Sequence, residues 1–158
     1  MPEAITSERA EAYTGMTRVP RSKEEARAAY DRMSRWYDLM ASSEKAYIDA
    51  GLQKLAAMEG ERVLEVGSGT GHALLSLSRA VGRSGRVYGV DLSLGMIQMA
   101  RIKVQQAELE RAPAVIQGDG TQVPLSDGSM DAVFLSFTLE LFDTPDIPRV
   151  LGACWRVL

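Results

Sequence analysis

Residues 62–72 read Arg-Val-Leu-Glu-Val-Gly-Ser-Gly-Thr-Gly-His. A short, β-branched apolar run ends in three glycines, and the stretch that follows, HALLSLSRAV, carries apolar residues at helical spacing up to Gly82. Apolar runs of this length between turn residues suit a buried strand, and the wider spacing behind it suits a helix. Glycine supplies a sharp strand-to-helix turn that a ligand can approach without a Cβ in the way. The stretch therefore predicts a strand, a tight turn and a helix whose free N–H groups point at whatever occupies the turn.

The same alternation continues downstream. RVYGV, 86–90, is a second strand and ends at Asp91. SLGMIQMARIKVQQAELE, 93–110, is an amphipathic helix with Met96, Ile97, Ala100, Val104 and Leu109 near one face. PAVIQGD, 113–119, is a third strand, and DGTQVPLSDGSM is a loop rich in turn residues. DAVFLSF, 131–137, is a fourth strand, and TPDIPRVLGACWRVL, 144–158, is a last helix with Pro145 and Pro148 near its first turn. Strands alternating with helices imply right-handed crossovers and a parallel sheet. Continuous apolar strands imply helices on both faces.

Upstream, Ser22 and Glu25 form a capping-box pattern that opens a helix over 24–33. A short helical piece spans 34–41. A third helix over 42–58 places Tyr47, Leu52, Leu55 and Met58 near one face and stops at Gly60. Residues 1–20 have no periodicity and read as a flexible arm. The fold class is thus α/β: a Rossmann-like parallel sheet with flanking helices and additional N-terminal helices. The domain reading is an arm over 1–20, a helical lid segment over 21–60 and a cofactor-binding core over 61–158.

Composition narrows the function. The chain has 158 residues, 46% hydrophobic and 25% charged, which fits one folded domain. Its net charge of -3 lacks the basic excess of a general nucleic-acid binder, so no nucleic-acid partner is expected. Cys154 is the single cysteine, which excludes an internal disulfide framework and suits a buried thiol in a reducing compartment. The first twenty residues hold no apolar signal region, and no stretch reaches the roughly 20 apolar residues of a membrane span. A cytoplasmic location is the expectation. No His/Cys cluster suggests a metal.

Glu65, Gly67, Gly69 and Gly71 define the glycine turn. A dinucleotide turn wants G-x-G-x-x-G. Here the third glycine comes one residue early, and an acid stands two residues before the first. A carboxylate there repels a pyrophosphate. It suits a cationic amino group or the ordering of the loop, as the aminoacyl part of S-adenosylmethionine requires. Asp91, at the end of the second strand, can accept from both hydroxyls of a ribose or cap the helix that follows, a task Ser93 can also perform. Asp119 can accept from an exocyclic adenine amine or serve as a turn aspartate. His72, the single histidine, reads as a first-turn residue rather than a base. No catalytic base stands out. A sulfonium donor is already activated, and positioning can supply most of the acceleration.

VLEVGSGTGH, VYGVDLSLGMIQMA and IQGDGTQVPLSDGSMDAVFLSFTLE resemble the successive motifs of class I S-adenosylmethionine-dependent methyltransferases. YDRMSRWYDLM resembles the segment that precedes them in the ubiquinone/menaquinone-biosynthesis C-methyltransferase branch. The resemblance covers about residues 25–158. It implies transfer of a methyl group from S-adenosylmethionine to a small molecule, such as a quinone-type ring carbon, leaving S-adenosylhomocysteine. It also implies roles for single residues. Leu92 and Met96 line an adenine pocket, and Asp119 and Gly120 recognise the base. Ser136, Phe137 and Thr138 stand beside the methionine moiety, and Tyr30 and Tyr37 close over the cofactor. The family sheet has seven strands in the order 3-2-1-4-5-7-6, so the four strands here match its 3-2-1-4 half, and the chain looks truncated beside the family. An apolar fourth strand at an open edge predicts a homodimer through that edge. The rival readings are a cofactor-binding half-domain without turnover and a nicotinamide-dependent oxidoreductase.

Overall fold

The computed structural model describes residues 22–40 and 43–158. The arm predicted over 1–20 lies outside them. Among the described residues, six α-helices and four strands follow one another. They are α1 (Lys23–Met33), α2 (Tyr37–Met40), α3 (Lys45–Leu55), β1 (Arg62–Val66), α4 (His72–Val81), β2 (Arg86–Asp91), α5 (Leu94–Gln106), β3 (Ala114–Gln117), β4 (Ala132–Leu135) and α6 (Ile147–Val157).

The four strands form one parallel sheet in the order β3-β2-β1-β4. β1 is central. Its Val63 pairs with Val87 and Ala132, and its Val66 with Val90 and Leu135. Side chains alternate across a strand, so β1 feeds both faces. Val63 joins Leu74, Leu77, Val81, Val87 and Phe134 beneath α4, while Leu64 and Val66 join Val90, Val150 and Val157 beneath α6. Full burial of each such side chain contributes roughly 1.5–3 kcal/mol, so the two layers fix the sheet between its helices. Cys154 is buried in the second layer.

Local chemistry sets the helix boundaries. Ser22 accepts from the Glu25 N–H while Glu25 accepts from the Ser22 N–H, completing the predicted capping box of α1. Ser93 caps α5 by accepting from the Met96 N–H at 3.1 Å, so capping falls to Ser93 rather than Asp91. A 3-10 turn over Thr144–Asp146 precedes α6. This segment was expected to be helical throughout. Pro148 lies in the first turn of α6, where a missing N–H costs nothing.

Two further expectations need correction. α3 ends at Leu55, short of Gly60, because Ala56 takes a left-handed conformation and donates to the Leu52 carbonyl. Tyr47 and Met58 are 72% and 65% exposed, so neither belongs to the buried face of this helix. Leu52 and Leu55 keep their expected place and, with Ile48 at the spacing i, i+4 and i+7, pack against the layer that holds Leu74, Leu77 and Val81. α5 also stops early, at Gln106, which leaves Leu109 beyond it.

Candidate functional site

The parallel strands end together at one edge, and the loops leaving them surround a cavity of about 490 Å³. The glycine turn forms its floor. Gly67 (φ 75°) and Gly69 (φ 51°) line the cavity in left-handed backbone, and among the described residues nothing beyond its chain neighbours stands within 4 Å of where a Cβ on Gly69 would be. Gly71 does not line it. That glycine is the N-cap of α4, and a Cβ on it would lie 3.2 Å from that of Ala100.

Glu65 points into this space from β1. The residue is 5% exposed, and its Oε2 has no hydrogen-bond partner among the described residues. Burial, and then the charge of Asp91, push its carboxyl well above the usual carboxylate range. A buried polar atom without a partner is costly, and such atoms mark places where a ligand completes the structure. The Ser68 hydroxyl, in the same loop, is also buried and has no partner among the described residues.

Asp91 ends β2 and orders the glycine turn. Its Oδ2 accepts from the Gly69 N–H at 2.8 Å, and its Oδ1 from the Ser93 N–H at 2.9 Å. Burial raises its proton affinity, while these two backbone bonds act downward. Each carboxylate oxygen keeps a free lone-pair direction for a further donor. Leu92 and Met96 follow on the same wall, with Met96 buried.

The opposite wall comes from the loops after β3 and β4. Asp119 caps a 3-10 turn by accepting from the Thr121 N–H at 2.9 Å, and Gly120 lies beside it. Ser136, Phe137 and Thr138 follow β4 and line the cavity. Phe137 holds a positive φ of 51° and meets Tyr47 edge to face, ring centres 6.3 Å apart.

The N-terminal helices roof the site. Tyr30 and Tyr37 line it with ring centres 6.2 Å apart, and Tyr37 donates to Glu44 at 3.3 Å. Burial, with Glu44 and Tyr30 nearby, pushes the Tyr37 phenol up. Asp31 ties α1 to α5 by accepting from the Ser93 hydroxyl at 2.5 Å and the Gly95 N–H at 2.9 Å.

Several residues at this site carried no sequence signal. Lys23 lies 2.8 Å from Asp119 and 3.2 Å from Asp146. Lys103 lies 2.5 Å from Asp38 and donates to Thr70 at 2.9 Å. These pairs join parts of the chain that are far apart in sequence, so no local spacing announces them. His72 opens α4 and also lines the cavity.

The family described as "Methyltransferase domain" matches residues 63–158. This chain belongs to the methyltransferase family. It is 32% identical to the demethylmenaquinone methyltransferase of Oceanobacillus iheyensis over 88% of this chain and 60% of that one. It is 36% identical to the malonyl-[acyl-carrier protein] O-methyltransferase of Laribacter hongkongensis over 92% of this chain and 48% of that one. Among solved structures, a SAM-dependent methyltransferase from Aquifex aeolicus aligns with a TM-score of 0.68 at 30% identity, covering 80% of this chain and 66% of that one. The chain thus spans about half to two-thirds of the length of these family members. The Rossmann-like sheet with helices on both faces is the methyltransferase fold. Among the described residues no helix is long and apolar enough to cross a membrane.

Proposed function

We propose that the cavity binds S-adenosylmethionine and that the chain transfers its methyl group to a small-molecule acceptor. The observation that carries this reading is the unpartnered, buried Glu65 oxygen beneath an open glycine turn. A nicotinamide dinucleotide would bring its pyrophosphate to that carboxylate, which disfavours an oxidoreductase. A methionine ammonium satisfies it.

The remaining roles follow from the walls of the cavity. Asp91, already ordered by two backbone N–H groups, accepts from the ribose hydroxyls. Leu92 and Met96 flank the adenine, and Asp119 accepts from its amine beside Gly120. The oxygen nearer Lys23 is shared with that ammonium. Ser136 and Thr138 stand at the methionine end, and Tyr30 and Tyr37 close the roof. The bound cofactor supplies an activated methyl on a sulfonium. The protein positions it and excludes water. The names of the quinone-methylating relatives, together with the Tyr47–Phe137 aromatic pair, favour a flat, quinone-type ring as acceptor. We further propose a cytoplasmic location and pairing of two copies through the edge of the apolar strand β4.

Calorimetric titration with S-adenosylhomocysteine and with NAD tests the cofactor. Tighter binding of NAD sinks the proposal. A panel of acceptors, including a reduced demethylated naphthoquinone and an acyl-carrier thioester with a free carboxylate, then separates turnover from binding alone. Light scattering reads the dimer.

A further inference from the structure

His72 is the single histidine of the chain, and its place is unusual. It is the first residue of α4, directly after the glycine turn, and it lines the cavity. Its Nε2 lies 2.9 Å from Asp49 Oδ1 on α3. Asp49 is fixed in turn by Lys45, at 2.8 Å. Its Nδ1 has no hydrogen-bond partner among the described residues. Gly71, the N-cap, offers no side chain, so no side-chain cap covers the first turn of α4.

The cavity-lining lysines are committed elsewhere, and Arg27, also at the cavity, acts on Asp31 of its own helix. Lys23 serves Asp119 and Asp146, Lys103 serves Asp38, and Lys45 serves Asp49. An anion entering beside the glycine turn meets the helix N-terminus and the imidazole together. A neutral imidazole offers one N–H, and here Asp49 takes it. Only the imidazolium donates from both nitrogens. We propose that His72, oriented by Asp49, receives an amino-acid carboxylate in the cavity as an imidazolium, so that the imidazole takes up a proton when the ligand binds. The inference rests on the cofactor reading above and adds how its carboxylate is held.

Charged groups around the imidazole set the sign. Asp49 and Lys45 face it from α3, Asp38 from α2, and Lys103 from α5 by way of Asp38. Asp49 is held below the usual carboxylate range by hydrogen bonds from Lys45 and His72. Burial acts upward on Asp38, but bonds from Lys103 and Thr70 hold it low as well. With Asp49 and Asp38 both held low, the imidazole is the group among these three that can present a second N–H to a ligand. Glu65 acts in the opposite sense, since a ligand ammonium would draw the proton off its raised carboxyl.

The test compares S-adenosylhomocysteine with 5′-methylthioadenosine, which shares the adenosine and lacks the amino-acid part. Calorimetry is run on the parent, H72N and K45M at about pH 6 and about pH 8.5, where histidine changes charge, in two buffers of different ionisation enthalpy. For the parent, the preference for S-adenosylhomocysteine is expected to grow on acidification by up to about tenfold per pH unit, relative to H72N. H72N should lose this growth, and its net proton count on binding should shift toward release relative to the parent, yet it should bind methylthioadenosine as the parent does. The lone imidazole NMR signal should move with S-adenosylhomocysteine and stay with methylthioadenosine. Equal preference in parent and H72N at both pH values overturns the inference while leaving the cofactor reading intact. So does a preference lost in K45M and kept in H72N. Failure of both nucleosides to bind any form of the protein overturns both readings.

Discussion

Thr138 occupies the space where a side chain on Gly67 would stand. A Cβ built on Gly67 collides with the Thr138 side chain, whose hydroxyl lies 3.2 Å from the Val66 carbonyl. The loop after β4 is thereby seated on the turn after β1, and the two neighbouring strands deliver their loops to one cavity. Gly67→Ala should destabilise the fold by about 2–5 kcal/mol, from left-handed strain plus overpacking. Gly69→Ala meets open space, so it should cost only the strain of about 1–2 kcal/mol while placing a methyl group at the ligand. Thermal melts and S-adenosylhomocysteine titrations should therefore rank the two variants in opposite orders. A Gly69→Ala protein that melts lower than Gly67→Ala would show that the collision is relieved by movement of Thr138.

Asp91 joins stability to binding. Its carboxylate orders the Gly69 and Ser93 N–H groups, and in the proposed complex it also accepts from a ribose. Asp91→Ala should weaken S-adenosylhomocysteine binding by roughly 2–4 kcal/mol. It should also lower the melting temperature, because two N–H groups lose their acceptor. Asp91→Asn should keep part of both. Full binding affinity in the alanine variant, measured by calorimetry, would reduce Asp91 to a loop-ordering residue.

How much of this was legible in the sequence depends on distance along the chain. The glycine turn and Asp91 were readable because strand, turn and helix follow within a few residues, and the chemistry of a sharp turn is local. The sheet order also came through, since the successive motifs resemble a known arrangement. The orientation of α3 came through only for Leu52 and Leu55. Its apolar residues admit more than one buried face, and packing of Ile48 and Leu52 against α4 decides between them, turning Tyr47 out toward Phe137. That Gly71 caps α4 while Gly67 and Gly69 line the cavity was not legible, because a capping glycine and a cavity-lining glycine look alike in a G-x-G-x-G run. Lys23, Asp38 and Lys103 were missed because each finds its partner across the roof, and only the folded chain brings such charges together.

Glu65 makes a prediction about pH. Its folded carboxyl is raised by burial and by Asp91, so the native state holds a proton that the unfolded chain releases at the ordinary value. Folding stability should therefore be lost as pH rises from that ordinary value toward the raised one. Glu65→Gln removes this loss. The ligand-free variant should melt higher than the parent at neutral pH, while its affinity for S-adenosylhomocysteine falls by about 1.5–3 kcal/mol for the lost charged hydrogen bond. Melting curves across pH check the first half and calorimetry the second. A variant that is both less stable and fully competent to bind contradicts the assignment on each count.

Asp31 governs the roof. It is the point where α1 meets α5, through the Ser93 hydroxyl and the Gly95 N–H. A Cβ on Gly95 would lie 2.8 Å from Ser34 Oγ, so the two helices touch closely there. Burial raises the Asp31 carboxyl, but the bonds from Ser93 and Gly95 outweigh it and hold the group below its ordinary value. For a depressed carboxyl, the stabilisation is present above the unfolded value of about 4 and fades as pH falls through the folded one. Asp31→Ala should therefore loosen the roof at neutral pH and leave it much like the parent in acid. Hydrogen exchange over residues 25–40 reads this directly. In the parent, exchange should slow when S-adenosylhomocysteine saturates the cavity, because Tyr30 and Tyr37 then rest on a ligand. In Asp31→Ala, exchange without ligand should rise by about tenfold to a hundredfold, the equivalent of one or two hydrogen bonds to a charged group. Ligand should restore part of the protection. The core strands should exchange as before, since none of their bonds depends on Asp31. Exchange in 25–40 that ignores both the ligand and the substitution would make these helices fixed wall rather than roof.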